Sequence, residues 1–527
     1  MGKKSSVREV QAALRGSGEL ALLDVREQGV HYRGHPFFAC SAPLSRLELM
    51  IGDLVPRRSV PLVVLDGGDE GLAERAARKL AQLGYLDVSM LEGGCAGWKA
   101  AGGELFSGVN VPSKAFGEFV EHQYDTPRMP PDNLKELLSK NKKLVILDSR
   151  PFEEYHRMNI PGGVDVPGAE LAYRVHDLAP DPDTLVVVNC AGRTRSIIGC
   201  QSLRNAGIPN PVVALKDGTM GWDLAGFECE RGAMRVAPAP SDAGREKARA
   251  AADRVAARFQ VKFTTRQDVQ RWQGEPARTL YLLDVRTREE FERAHVAGSR
   301  HAPGGQLVQA SDEYVGVRNA RVVLIDPERV RAVMTASWLN QMGWEEVYVL
   351  EPEGADGFAG WPTERGPRKK PVLGFRAWET TSDVEGATVL DLSTSLRFRA
   401  RHVPGAWWAV RSRLEEAKRK LPHPTSLVLT SDDGVLAHLA APEAAALWPG
   451  VGVKVLEGGN AAWFAAGRPA EAGMERATTA LDDVWYKPYD HEHGSDYEKH
   501  ARAYLSWEVA LVDQIRRDPT IRFRVYS

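Results

Sequence analysis

The sequence predicts an α/β protein made of four tandem copies of one unit, each a small parallel sheet with helices on both faces, followed by a C-terminal helix-strand tail. Three observations carry this. A short apolar run ending in Asp recurs four times, at Asp24, Asp148, Asp284 and Asp391. A second apolar run follows each, ending at Asp66, Cys190, Asp326 and Ser431, 42 residues on in the first three copies and 40 in the fourth. An aromatic in a Gly-rich segment closes each copy: Trp98, Trp222 and Phe358 lie 74 residues after the Asp, and Trp463 lies 72 after it. Runs so short and uniformly apolar read as buried strands. Strands that alternate with helices pair in parallel.

The first copy supplies ALLDVRE (21–27) and PLVVLD (61–66) as strands and LAERAARKLAQLGY (72–85) as a helix with apolar residues at three-to-four spacing. The second repeats the order with VILDSRPFEEY (145–155), LVVVNC (185–190) and SIIGCQSLRNAGI (196–208). YLLDVRTREEF (281–291) with RVVLID (321–326), and TVLDLSTSLRF (388–398) with LVLTS (427–431), mark the third and fourth. A copy spans roughly 100 residues, the size of one domain. The expected division is four separately cored domains at 1–105, 131–232, 263–366 and 367–470. Segments 106–130 and 233–262 read as linkers, the latter helical, and 471–527 as a docking tail. In the tail, Ser495 and Glu498 predict a capping box. Tyr497, Ala501, Tyr504, Leu505, Leu511 and Ile515 form an apolar helical stripe. Alternation through Ile521, Phe523 and Val525 predicts a last half-buried strand.

Composition narrows the function. The 527 residues are 43% hydrophobic and 26% charged with a net charge of -2, which excludes the basic footprint of nucleic-acid binding. No apolar run is long enough to span a bilayer, and MGKKSSVREV lacks the apolar core of a secretory signal, so no membrane partner and a cytoplasmic location are expected. Five scattered cysteines without CxxC spacing suit neither a disulfide framework nor a zinc site. No metal or other cofactor is expected, and His491 and His493 read as solvated surface residues. No oligomeric state follows from the sequence.

The most specific string is VVVNCAGRTRSIIG at 186–199. A strand ends in Cys190 and a helix begins near Ser196, which sets the sulfur before the unsatisfied N–H groups of a helix N-terminus and predicts a thiolate. Such settings, with neighbouring cations, lower a cysteine pKa from about 8.5 to roughly 3.5–7.5, and Arg193 and Arg195 supply the cations. The same guanidinium groups suit a tetrahedral oxyanion, each charge-assisted hydrogen bond being worth on the order of 1.5–3 kcal/mol. Gly192 lets the backbone pass close to a bound group. Cys40, Cys95, Cys200 and Cys229 read as small buried filler.

LDSRPFEEY, MNIPGGVDVPGAEL, the Cys190-Ala-Gly-Arg-Thr-Arg-Ser196 loop and DGTMGW together resemble the rhodanese, or thiosulfate sulfurtransferase, family over 145–225. DVRTREEFERAHVAGSRHAPGG in the third copy and FRARHVPGAWW in the fourth resemble the same family, while the first copy departs with GHPFFACSAPL. The resemblance covers about 1–105, 131–232, 263–366 and 370–470. It implies four rhodanese-like domains and a persulfide relay. Cys190 attacks the outer sulfur of a small-molecule donor, and a thiophilic acceptor, cyanide or a thiol, takes the sulfur away. It also implies that amides 191–196 cradle the persulfide, with Gly192 and Ser196 in the substrate loop, and that Arg195 and Arg193 recognise the donor's sulfonate. The loop departs from the Gly-Ser-Gly-Val-Thr-like form of members that prefer 3-mercaptopyruvate, which favours thiosulfate or a low-molecular-weight persulfide. The family's usual His before Ile-Pro-Gly is Asn159 here.

Asp66, Asp326 and Ser431 cannot carry a persulfide, so the other three copies are expected to be inactive. Arg329 and Arg331 read as neutralising Asp326 and Glu328 in a local ion-pair cluster, with a residual anion pocket as the alternative. Two other functions stay open. One is a non-enzymatic multi-module scaffold or sulfur-responsive binding protein. The other is a Cys-dependent phosphatase or arsenate reductase; such phosphatases usually place one more residue between Cys and Arg than the step from Cys190 to Arg195.

Overall fold

A computed structural model describes residues 2–354, 357–491 and 494–526. In the second repeat five parallel strands lie in the order Arg128–Met129, Val212–Leu215, Leu185–Asn189, Leu144–Asp148, Val164–Asp165. Alternate side chains of the central strands face opposite ways. Ile146, Val187 and Leu215 pack with Leu134 and Trp222 from short flanking helices. On the other face, helix Thr194–Ala206 comes so close that a Cβ on Gly199 would lie 2.9 Å from Val188. The third and fourth repeats repeat this strand order, as do five strands of the first.

One buried ion pair recurs in three of the four repeats, at the end of the strand that opens the motif. Arg150 donates to Asp148 through Nε and Nη2, at 2.8 and 2.7 Å, and to the Met158 carbonyl at 2.6 Å. Arg26 on Asp24 and Arg286 on Asp284 do the same. A buried charge is tolerated only when paired and hydrogen-bonded, so Asp-x-Arg ties the end of the strand to the loop that follows it. The fourth repeat has Ser393 in place of this Arg, and the Ser393 N–H donates to Asp391.

The second, third and fourth repeats each carry buried clusters of their own, and the repeats are grouped in pairs. The chain forms two compact units: Met1–Val10, Ala21–Val109 and Lys370–Tyr486 in one; Gln11–Leu20, Asn110–Lys369 and Lys487–Ser527 in the other. The first unit thus joins the first and fourth repeats, where the buried Arg411 pairs with Glu48 at 2.9 Å and Lys79 reaches Glu443 at 3.2 Å. The second unit joins the second and third repeats and the tail. There Arg331 meets Glu170 at 3.1 Å, Trp338 donates to Ser202 at 2.8 Å, and the backbones touch at Gly168 and Gly305.

Two segments differ from the sequence reading. Segment 106–130 is not a spacer: Val111–Tyr124 is a helix with Phe116, Glu118 and Val120 fully buried. The tail helix, Ser495–Ile515, packs on it. Tyr497, Ala501, Leu511 and Ile515 of the stripe are buried, and Tyr504 and Leu505 partly so. Its N-cap is Gly494, without a side-chain cap, because Ser495 is already helical, so the capping box does not form. Residues 521–526 form no strand. The Arg524 N–H reaches the last carbonyl of a helix, that of Gln341, and Phe523 packs on Phe116 and Phe119 with ring centroids 5.0 and 5.3 Å apart. Of the alternating residues Phe523 docks in this way, while Val525 is exposed.

Candidate active site

Cys190 follows the Leu185–Asn189 strand and is 1% exposed. Helix Thr194–Ala206 begins four residues later. Cys190 Sγ lies 3.4 Å from Ser196 Oγ, which donates to the Arg193 carbonyl at 2.8 Å. The Cys190 and Ala191 carbonyls point away, accepting from the N–H groups of Thr219 and Met220 at 2.8 and 3.0 Å. This docking requires Gly218, with φ 55°, since a Cβ there would sit 2.4 Å from the Cys190 carbonyl. Gly94 and Gly459 stand in the same relation to the carbonyls of Asp66 and Ser431.

The two loop arginines diverge. Arg193 is buried among three carboxylates: Glu118 at 2.6 and 2.7 Å, Glu121 at 2.6 Å and Asp217 at 3.1 Å. Burial works against its charge, but the bonds it donates to Glu118 more than offset that and raise its pKa. Its guanidinium is thereby turned from the sulfur to the linker helix and fastens the loop there. The Arg193 guanidinium, expected to meet the donor, thus lies on carboxylates of the fold. Arg195 is turned to Glu154, and Cys190 is among the neighbours that favour its charge. Both its Nη atoms donate to Glu154, at 2.9 and 2.8 Å. Burial pushes the Glu154 carboxyl up, yet Arg195 outweighs it and holds that carboxyl at about 2.

The tail roofs the loop. The Tyr489 hydroxyl donates to the Ala191 carbonyl at 3.2 Å. Glu508, fully buried, accepts from Thr194 Oγ1 at 3.2 Å, the Tyr504 hydroxyl at 2.9 Å and Lys114 Nζ at 3.0 Å. A Cβ on Gly192 would meet Glu508 Oε2 and Tyr504 Cε1 at 3.4 Å, so what approaches Gly192 closely is the tail helix. Burial raises the pKa of Tyr489 and Tyr504, and both lie close enough to Cys190 to feel its charge. Sequence reasoning missed Lys114, Glu118, Glu121, Tyr489, Tyr504 and Glu508, all outside the repeats.

The equivalent loops of the other repeats fill their own cradles. Asp66 accepts from the N–H groups of Gly68 and Ala73 at 2.9 and 3.0 Å. Asp326 accepts from those of Glu328 and Arg331 at 3.1 and 2.8 Å, and Ser431 from that of Ala437 at 3.3 Å. The ion-pair reading of the third loop holds in a modified form. Arg331 binds Asp326 and Glu290, whereas Glu328 pairs with Arg249 and Arg329 with Asp253.

Asn159 takes over a role that His has elsewhere in the chain. His295 and His402 each bond the carbonyl four residues back, Phe291 or Phe398, at 2.8 and 2.7 Å. Asn159 Nδ2 donates to the Tyr155 carbonyl at 3.2 Å. Burial raises the thiols of Cys95 and Cys200 to about 12 and that of Cys229 to about 11. In the tail, ligand atoms of His491, Asp496 and His500 lie within 4.8 Å of one another, a clustering that the sequence spacing did not reveal, while His493 lies outside the described residues.

The rhodanese-like domain model matches residues 6–101, 130–225 and 265–361. A crystal structure of thiosulfate sulfurtransferase from Pseudomonas aeruginosa is 47% identical and covers 100% of both chains with a TM-score of 0.95. An HTH-type transcriptional regulator of Mycobacterium tuberculosis is 35% identical over 100 residues, which are 19% of this chain and 43% of the regulator. An uncharacterized Bacillus subtilis protein is 35% identical over 85 residues, 16% of this chain and 62% of that protein. With the domain matched three times and a full-length relative at this identity, the chain belongs to the rhodanese-like family.

Proposed function

We propose that the protein is a sulfurtransferase that moves sulfane sulfur from thiosulfate or a related donor to cyanide or a thiol through a persulfide on Cys190. The observation that carries this is a cysteine, Cys190, at a strand-to-helix turn that also holds Arg195, against Asp66, Asp326 and Ser431 at the same place elsewhere. In the cycle, the Cys190 thiolate attacks the outer sulfur of thiosulfate. The S–S bond of the donor breaks, sulfite leaves and Cys190 carries the persulfide. Attack by the acceptor on the outer sulfur then restores the thiolate.

The sister loops support the charge assignment. In two of them a carboxylate takes the place of the cysteine and is held by loop N–H groups, so this turn is built to face an anion. Arg195 steadies the anionic donor and persulfide, and Ser196 lies beside the sulfur. The full-length relative is named a thiosulfate sulfurtransferase, which favours thiosulfate as donor. The test is intact-mass measurement after thiosulfate and again after cyanide. Gain and then loss of one sulfur is the expected result, and a mass unchanged by thiosulfate overturns the reading.

A further inference from the structure

The chain just before the tail helix folds back against its first turns. A single 3-10 turn, Pro488–Asp490, is followed by His491. Asp496 and His500 lie four residues apart in helix Ser495–Ile515, a spacing that sets two side chains on one face. His491 Nδ1 stands 3.3 Å from Asp496 Oδ2, and His500 Nε2 stands 3.4 Å from Asp496 Oδ1. The two imidazoles stack in parallel with centroids 3.6 Å apart. One ligand atom from each of the three residues lies within 4.8 Å of the others. Along the chain His491 reads as a solvated surface residue; the fold gives it an acid and a second imidazole as neighbours.

Donor chemistry and separation both suit a metal ion. Zinc binds imidazole nitrogen and carboxylate oxygen at about 2.0–2.2 Å, so two donors on one tetrahedral ion lie roughly 3.3–3.6 Å apart. Both His–Asp separations fall in that range, and rotation of the side chains closes the rest of the set. A pair of imidazoles selects a transition-metal cation over Mg2+ or Ca2+, which take oxygen donors. Ligands four residues apart on a helix place the ion beside it. The helix N-terminus by itself disfavours a cation, and the Asp496 carboxylate supplies the counter-charge. An ion pair accounts for one ring beside Asp496. Two imidazolium rings face to face at 3.6 Å repel, whereas one cation shared by two neutral rings and a carboxylate meets no such cost.

We propose that His491, Asp496 and His500 bind one divalent transition-metal ion of the zinc class, and that the ion staples the segment before the tail helix to that helix. The segment matters because it carries Tyr489, whose hydroxyl donates to the Ala191 carbonyl at 3.2 Å and whose ring stacks on Tyr497 with centroids 5.6 Å apart. Tyr497 is buried and follows Asp496 directly. The ion thus holds the chain on either side of the Tyr489–Tyr497 stack. Its part is structural: an ion that binds only the folded arrangement stabilises it by mass action, whatever the sulfur chemistry at Cys190.

Titration of the untagged full chain with Zn2+ tests the site. The Cys190→Ser background is used, because it removes the thiol that would compete for the ion. Calorimetry is expected to show one Zn2+ bound per chain and Mg2+ bound far more weakly. His500→Ala and Asp496→Asn, neither at a buried residue, each weaken Zn2+ by roughly tenfold or more, no less than the loss of an outer-shell partner costs. Zn2+ also slows backbone amide exchange at 488–491, and His500→Ala abolishes that slowing. Absence of Zn2+ binding, equal affinity for Mg2+, or a smaller loss in either variant overturns the site. Binding that leaves exchange at 488–491 unchanged overturns the staple. Sulfur loading enters neither measurement, so the persulfide reading stands or falls separately.

Discussion

Arg331 Nη2 reaches Asp326 Oδ1 at 2.8 Å in the third repeat, and Asp326 stands where the second repeat has Cys190. Arg195 holds the matching position to Arg331, five residues past the cysteine. A guanidinium on this turn can thus touch an anion at the cysteine's place. Both arginines also bind a Glu six residues past the motif Asp, Glu154 or Glu290.

Arg195→Ala is therefore expected to lower kcat/KM for thiosulfate roughly ten- to hundredfold, the loss of one charge-assisted contact. An uncharged persulfide donor loses much less. Steady-state kinetics with both donors checks this, and equal losses would make Arg195 a loop-shaping residue.

Arg193→Ala acts on stability first. It leaves Glu118 buried without its counter-charge, which costs about 3–5 kcal/mol, read from urea unfolding. A variant as stable as wild type with a raised KM for thiosulfate would return Arg193 to donor binding.

Sulfur loading should be single and local. Excess thiosulfate adds one cyanide-removable sulfur per chain, peptide mapping places it on Cys190, and Cys190→Ser abolishes both loading and turnover. Cys95, Cys200 and Cys229 stay unmodified because burial keeps their thiols protonated, near 12, 12 and 11. A second removable sulfur on any of them would reveal a relay.

Asp165 makes stability depend on pH. Burial, and then the neighbouring Asp148, push its carboxyl up to about 8, and its Oδ1 has no hydrogen-bond partner. Between its ordinary value of 3.8 and about 8 the folded chain binds this proton more tightly than the unfolded chain. The contribution is thus fully present below about 4 and lost as pH rises towards 8. Asp165→Asn is expected to remove that decline, worth on the order of 1–3 kcal/mol. Unfolding curves at pH 5 and 8.5 check it, and the same pH slope in wild type and variant would refute it.

The Glu154–Arg195 pair leaves a mark in the sequence. Glu and Arg occur together at these offsets in the second and third repeats and are both missing from the first and fourth, where Val30 with Gly71 and Arg397 with Leu436 take the places. Paired presence and absence within one chain is the mark of two residues in contact. Nothing comparable marks Glu118, Glu121 or Glu508, which occur once each, in segments without a sister copy.

Sequence alone determined the repeat, the spacing of its strands, the Cys190 loop and the loss of that cysteine in three copies. Those features are local: short apolar runs, an Asp-x-Arg pair two residues apart and a strand-to-helix turn are set by neighbours along the chain. Tertiary structure alone decided which repeats group together, that Arg193 is spent on the linker helix, and that the tail roofs the loop. The partners there are 75 residues apart for Arg193 and Glu118 and 314 for Thr194 and Glu508. Contacts at such separations arise when amphipathic helices bury their apolar stripes against one another. The polar groups carried along must then find partners on whichever surface they meet, a choice that periodicity along the chain does not encode.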